Sequence, residues 1–397
     1  MKDLKTHKML KTLAIGNMGV TIIYTYSFTG HNLEYLSHLY NICAKRIDRK
    51  YIFLVPEQFR LRFEEVNLRE VDNVKFDFIS FEEQNRYKGK SLWKFQYNTT
   101  KILAERIHKH NADKCFCMFL SACSPFGIIL LPHNVKVSGI IYDIYLYRKK
   151  NLSFRSKIKE HILALGLSLT HQIKTVFVLN DENSAYEFNR IYKSSKFQKI
   201  ADPFPEIEIK NKVDLFESYP ELKGKKIFIH FGGLAERKGT LDILQSIKNL
   251  SLDEQQKYAF VFAGRVGADI RNVFYKTIDN LEGNVTVVIK DEFCTYDFID
   301  ALCRAATAIL MPYYVTDRSS GMLGYASYYG IPVIAPRDGL IGTLVNTYRL
   351  GVTIKDITSD NIRNACEIVC KMHFKVDNRY YLDNSLEAFQ TQIQDSL

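Results

Sequence analysis

Lys226-Ile-Phe-Ile-His-Phe-Gly-Gly-Leu-Ala-Glu-Arg-Lys-Gly239 decides how the second half of this chain folds. Its first six residues form an apolar run of buried-strand length. Gly232 and Gly233 follow directly, then two adjacent cations, Arg237 and Lys238, and a helix begins near Gly239-Thr240. Glycine at a strand end lets the backbone approach a ligand closely, and a helix N-terminus with cations beside it attracts phosphate. A tight turn carrying exposed charges would read the same way if this stretch stood alone.

Working outward, short apolar runs alternate with helical-period segments along the whole chain. The strands expected in the first half are Val20–Ser27, Tyr51–Val55, Val74–Ile79, Cys115–Leu120, Val137–Tyr142 and Val176–Leu179. Helices are expected at Asn32–Arg46, Leu92–Lys109, Phe154–Ser168 and Glu182–Tyr192. In the second half, strands are expected at Lys226–Phe231, Ala259–Ala263, Val285–Ile289, Ala308–Met311 and Pro332–Ile334. The helices between them are Leu241–Leu250, Ala268–Asp279, Tyr296–Arg304 and Gly321–Tyr329. Strand–helix alternation implies parallel sheets built of βαβ units. The fold class is therefore α/β, with two Rossmann-like doubly wound domains facing across a cleft. The expected domains are 1–205 and 206–380, with a last helix at Tyr381–Gln394, within 381–397, packing back onto the first. At 397 residues the chain suits two domains.

A second stretch, Pro312-Tyr-Tyr-Val-Thr-Asp-Arg-Ser-Ser-Gly-Met-Leu-Gly-Tyr-Ala-Ser-Tyr-Tyr-Gly-Ile-Pro-Val-Ile-Ala335, reads as strand end, loop, helix, turn and buried strand. Ser319 or Ser320 suits the N-cap, and Gly321 opens the helix start to an anion. A capped helix that merely packs is the plainer reading.

Together the two stretches resemble the GT-B-fold glycosyltransferases related to glycogen synthase and to bacterial polysaccharide mannosyl- and glucosyltransferases. Gly233-Leu-Ala-Glu-Arg-Lys-Gly239 and Gly330-Ile-Pro-Val-Ile-Ala335 match that family's nucleotide-sugar motifs in order and spacing, over residues 226 to about 355. The first half is less alike: Thr29-Gly30-His31 resembles an acceptor loop, and Ile141-Tyr-Asp143 lies where the family often has His-Asp. Aligned on Gly330, the family's two glutamates fall at Asp317 and Tyr325, and Gly233 stands where an arginine is often found.

The resemblance implies a metal-independent hexosyltransferase with no cofactor, using a UDP- or GDP-sugar and retaining the anomeric configuration. Gly232, Gly233, Arg237, Lys238, Arg318, Ser319, Ser320, Gly321 and Tyr325 would meet the donor, and Gly30 and His31 the acceptor. Asp143, Lys238 and Asp317 would carry the catalysis. The acceptor would be a glycan or lipid-linked saccharide in surface polysaccharide (capsule or exopolysaccharide) synthesis. An inactive partner subunit is the alternative, motivated by Tyr325 and Gly233. A sugar-nucleotide epimerase would need carboxylates in the cleft and lacks its signature here.

The composition bounds the rest. Hydrophobic residues at 46% and charged residues at 25% fit a globular protein. The basic-then-apolar N-terminus reads as a first buried strand rather than a signal peptide. The apolar run around Phe126–Leu131 has core-strand length, and no stretch is long enough to span a bilayer. Of the eight cysteines, Cys366 and Cys370 lie one helical turn apart, but nothing completes a metal set, so buried thiols in a reducing cytoplasm are expected. The net charge of +10 is +14 in residues 1–200 and −4 in 201–397. Such a field attracts anionic lipid, nucleic acid or phosphorylated substrates, and Tyr147-Arg-Lys-Lys150 and Lys193–Lys199 are basic clusters within it. No nucleic-acid module is present. The expectation is a cytoplasmic protein, peripheral on the inner face of the membrane, drawn there by anionic lipid.

Overall fold

The computed structural model describes residues 18–27, 31–63, 68–149, 152–204, 207–281, 285–372 and 374–397. Two compact units share these residues. The first draws on Met1–Ile144, Lys149–Ile200 and Phe389–Leu397, the second on Tyr145–Arg148 and Ala201–Ala388.

The first unit is built on a parallel sheet in the order β3-β2-β1-β4-β5-β6-β7. Its strands are β1 (Val20–Tyr24), β2 (Lys50–Pro56), β3 (Val74–Ile79), β4 (Lys114–Cys117), β5 (Lys136–Ile141), β6 (Ile173–Leu179) and β7 (Phe197–Ile200). Parallel strands are covered on both faces, which is why they read as apolar runs. Ile22, Ile23, Phe53, Phe116 and Val178 are fully buried. The helices used below are α1 (His31–Lys45), α2 (Leu92–His110), α3 (Gly127–Leu130), α4 (Tyr145–Arg148), α5 (Phe154–Leu169) and α6 (Glu182–Tyr192). The last residues close the same unit. Phe389 is fully buried and meets the Tyr35 ring edge-on at 5.7 Å, and Lys114 donates to the carbonyls of Asp395 and Leu397.

The second unit's sheet runs β10-β9-β8-β11-β12-β13, again parallel. The strands are β8 (Lys226–Phe231), β9 (Tyr258–Ala263), β10 (Thr286–Lys290), β11 (Ala308–Leu310), β12 (Val333–Pro336) and β13 (Gly351–Ile354). Flanking them are α7 (Thr240–Lys248), α8 (Arg271–Asp279), α9 (Tyr296–Ala305), α10 (Met322–Tyr329), α11 (Gly339–Thr347) and α12 (Ser359–Lys371); α13 (Leu386–Ile393) follows in the chain, its residues from Phe389 onward belonging to the first unit. One core joins Phe228, Phe260 and Phe262 to Ile243, Ile247, Phe274, Ile362 and Cys366.

Several expectations need correction. Phe126–Leu131 is not a strand. It holds the short helix α3, and Ile128 and Ile129 on it face solvent. The strand expected at Cys115–Leu120 stops at Cys117 and turns into a 3-10 helix at Leu120–Cys123. The single helix expected at Tyr381–Gln394 is broken into Arg379–Asp383 and α13. Buried Asn384 causes the break. Its side chain bonds back to Tyr380 O and receives the Asp202 amide, while its carbonyl receives that of Phe204. An Asn that bonds locally in this way competes with helix continuation. The edge strands β7 and β13 and the helices α11 and α12 were not anticipated.

Candidate functional site

Ligands of doubly wound sheets bind beyond the carboxyl ends of the strands, where the strand order reverses. In the second unit that point lies between β8 and β11, which are adjacent in the sheet. The loops leaving these two strands are the two stretches singled out by sequence.

After β8 the chain enters Gly232 at φ +86°. A Cβ on Gly264 (φ +137°), after β9, would overlap the Gly232 carbonyl, so the two backbones touch there. Only glycine fits such an approach. Gly233 is exposed and unconstrained, so Gly232 is the glycine this turn requires. A one-turn 3-10 segment, Glu236–Lys238, then leads through Gly239 (φ +66°) into α7. The loop after β11 lies against it. Gly239 abuts the Pro312 backbone, and the Tyr314 amide donates to Arg237 O at 3.0 Å.

Lys238 folds back over this floor, its Nζ 3.2 Å from where a Gly232 Cβ would stand and 5.5 Å from the centre of the Tyr313 ring. Burial, aided by the neighbouring Arg237, pulls its amine down to about 8. It remains mostly protonated at neutral pH, but at a cost that an anion would relieve. Arg237 beside it is exposed. Buried Tyr313 is hydrogen-bonded to Ser320, and burial pushes its phenol up to about 12.

His230 completes the support and was missed in the sequence reading. It is fully buried, with Nδ1 2.8 Å from Leu310 O and Nε2 3.0 Å from Thr240 Oγ1. A carbonyl can only accept, so Nδ1 carries the proton and Nε2 receives the Thr240 hydroxyl. Burial holds this imidazole neutral, down to about 3. Thr240 Oγ1 also accepts the Ala235 amide, which fixes the loop to the first turn of α7. The sequence signal was a histidine interrupting an otherwise apolar strand.

The start of α10 differs from expectation. Its N-cap is Gly321, with no side-chain cap bond, rather than Ser319 or Ser320. Instead Ser320 O receives the Leu323 amide and its side chain serves Tyr313. An N-terminus without a side-chain cap leaves backbone N–H groups for another acceptor.

Asp317 is 3% exposed and ion-paired with Arg148 Nε at 2.6 Å and, more loosely, with Arg318 Nε at 3.5 Å. Arg148 comes from α4, which belongs to the second unit although first-unit residues flank it in sequence. Sequence gave no sign of this pair, because Arg148 sits in a basic run that looked purely superficial. Tyr325 lies in an aromatic cluster, edge-on to Phe204 at 4.9 Å and to Phe231 at 5.2 Å. A Cβ on Gly324 would strike the Phe204 ring, so that ring sits directly on α10.

In the first unit the reversal lies between β1 and β4. Tyr26, Phe119 and Tyr142 pack against one another there as tilted rings, with successive ring centroids 5.0 Å apart. Exposed Asp143 is close enough to Tyr26 that, after burial, it is the next cause raising that phenol to about 12. Gly30 lies outside the described residues. His31 opens α1, and its side chain is likewise undescribed. Among the described residues no cluster of His, Cys, Asp or Glu could hold a metal ion. Cys43, Cys115, Cys117, Cys123, Cys303 and Cys366 are buried free thiols.

No family model and no curated protein matches the sequence. Solved structures do match. An Anabaena protein, HepE, crystallised with UDP-glucose, is 12% identical with a TM-score of 0.65, over 96% of this chain and 99% of that one. WaaG, a glycosyltransferase of lipopolysaccharide biosynthesis, is 12% identical with a TM-score of 0.61, over 94% and 95%. A UDP-forming trehalose-phosphate synthase from Burkholderia xenovorans is 10% identical with a TM-score of 0.64, over 95% and 99%. The chain has the GT-B fold. At these identities the likeness is one of fold, and what the chain does must be argued from its own residues.

Proposed function

We propose that this chain is a glycosyltransferase that moves a hexose from a UDP- or GDP-sugar to a glycan or lipid-linked acceptor, with the donor diphosphate held at the β8/β11 reversal. The observation that carries the reading is a half-buried lysine over a glycine floor, beside Arg237 and a helix start that no side chain caps. That set of groups suits a diphosphate and little else. Proteins sharing the fold include one crystallised with UDP-glucose and a UDP-forming synthase, in line with this donor class.

In glycosyl transfer the bond from the anomeric carbon to the diphosphate breaks, and negative charge grows on the leaving group. Lys238, Arg237 and the N–H groups at the start of α10 meet that charge without a metal. Fixed donors of this kind contribute on the order of 10²–10³ each in rate. Arg318 and Ser319 line the loop beside them. Asp317, paired with Arg148, orients this loop and acts on the donor sugar when the pair rearranges. Tyr325 replaces a carboxylate and gives the nucleoside an aromatic wall. Asp143, beside Tyr26, faces the acceptor; the assignment of Gly30 and His31 to the acceptor rests on the sequence resemblance alone. Anomeric configuration is retained, and the product belongs to a surface polysaccharide made at the cytoplasmic side.

The test follows UDP or GDP release from UDP-glucose, UDP-galactose, UDP-N-acetylglucosamine and GDP-mannose. Release from one donor, lost in Lys238→Ala, is expected. Conversion of the donor to its epimer without nucleotide release would instead mark an isomerase. Absence of both release and nucleotide binding would favour the second reading, an inactive partner subunit, which the loss of a carboxylate at Tyr325 motivates.

A further inference from the structure

We infer that α5, α3 and the start of α2 form a surface by which the first unit lies on an anionic lipid bilayer. This deepens the proposal of a lipid-linked acceptor but is tested by binding alone.

Helix α5 is apolar on two sides. Ala164 and Leu167 turn inward, and its backbone meets Ser124 and Pro125 at Leu163 and Gly166. On the other side Phe154, Ile158, Ile162 and Leu169 recur at helical spacing, and all are exposed. Phe154 shows 77% of its surface to solvent. A stripe with this period normally faces a core. Here nothing among the described residues covers it. The neighbouring α3 packs against both α5 and α2 and adds Ile128 and Ile129, the latter 70% exposed. At the start of α2, Trp93 and Tyr97 are also exposed, and Tyr97 touches the Phe126 ring at 5.5 Å. Single exposed apolar residues are ordinary, whereas a run across three packed helices marks an interaction surface.

Charge selects the partner. Arg155, Lys157 and Lys159 interrupt the α5 stripe, against the single acid Glu160, in a half-chain of net charge +14. Aliphatic side chains for the acyl boundary, Trp and Tyr for the headgroup level and flanking cations for anionic lipid are the components of an interfacial helix. No helix of the described residues is long and apolar enough to cross a membrane, so the contact would be peripheral.

The experiment is co-sedimentation of the full chain with phosphatidylcholine vesicles, with and without phosphatidylglycerol. Strong binding only to the anionic vesicles is expected. Phe154→Ser with Ile158→Ser and Ile162→Ser should weaken it by at least about tenfold. Arg155→Glu with Lys157→Glu and Lys159→Glu should abolish the preference for phosphatidylglycerol. The serine variant changes exposed positions and the glutamate variant exposed or half-exposed ones, and unaltered circular dichroism and UDP affinity would show them folded. Wild-type protein that stays in the supernatant with both vesicles, or serine variants that bind as well as wild type, would overturn the inference. So would self-association in sedimentation velocity that the serine substitutions remove while vesicle binding persists, since the face would then join two copies of the chain. Because UDP release and vesicle binding are read separately, failure of one leaves the other standing.

Discussion

The two sheets reverse direction at equivalent places but furnish them with different chemistry. At β8/β11 the floor is backbone, with Gly232 against Gly264 and Gly239 against Pro312, and the groups above it are cations. At β1/β4 the floor is a row of tilted rings, Tyr26, Phe119 and Tyr142, with one acid, Asp143, at the rim. Backbone floors bring N–H groups close to a ligand and suit phosphate. Aromatic floors offer flat apolar faces and suit a saccharide. Under the proposed function, this difference gives the donor to the second unit and the acceptor to the first.

The comparison breaks first at the backbone contact. Gly264→Val would force a side chain into the Gly232 carbonyl at a positive φ. It should cost on the order of 3 kcal/mol of stability, read by denaturant unfolding, and remove nucleotide binding with it. Next comes chemistry. Asp143→Asn should lower transfer by about a hundredfold while UDP affinity holds, because the acid belongs to the other unit. An equal loss of UDP affinity would refute the division of labour.

A smaller effect is the titration of Lys238. Its amine is depressed to about 8 when free, and a bound diphosphate would raise it. Affinity is therefore fullest below 8 and declines as pH rises through it. From pH 7 to 9 UDP should bind about tenfold more weakly, and Lys238→Met should flatten that profile. The smallest effect on UDP affinity is expected from Arg148→Gln. It leaves Asp317 buried without its closest partner and should cost about 1–3 kcal/mol in stability, with UDP affinity falling less than in Lys238→Ala.

How much of this was legible in the sequence follows the same contrast. The span of β8 was read to the residue, and so were the glycine loop and the cations, because a long apolar strand ending in glycines is a local pattern. The four-residue strands β7 and β13 were not, since both lie at sheet edges where short segments carry few apolar residues. The Arg148–Asp317 pair joins residues far apart in sequence, and no local pattern announces it. The exposed stripe of α5 was not anticipated, because the period of an apolar face says nothing about what covers it. The cap of α10 went to Gly321 because Tyr313 had already claimed Ser320, a tertiary contact.

The most direct test of the donor site is a titration of the purified chain with UDP, GDP and ADP, repeated on Lys238→Ala. Saturable binding of UDP or GDP, weakened at least about tenfold by the substitution, is the predicted result. If no nucleoside diphosphate binds, or if Lys238→Ala binds as tightly as the parent chain, the β8/β11 reversal is not a diphosphate site and the assignment of the donor to the second unit fails.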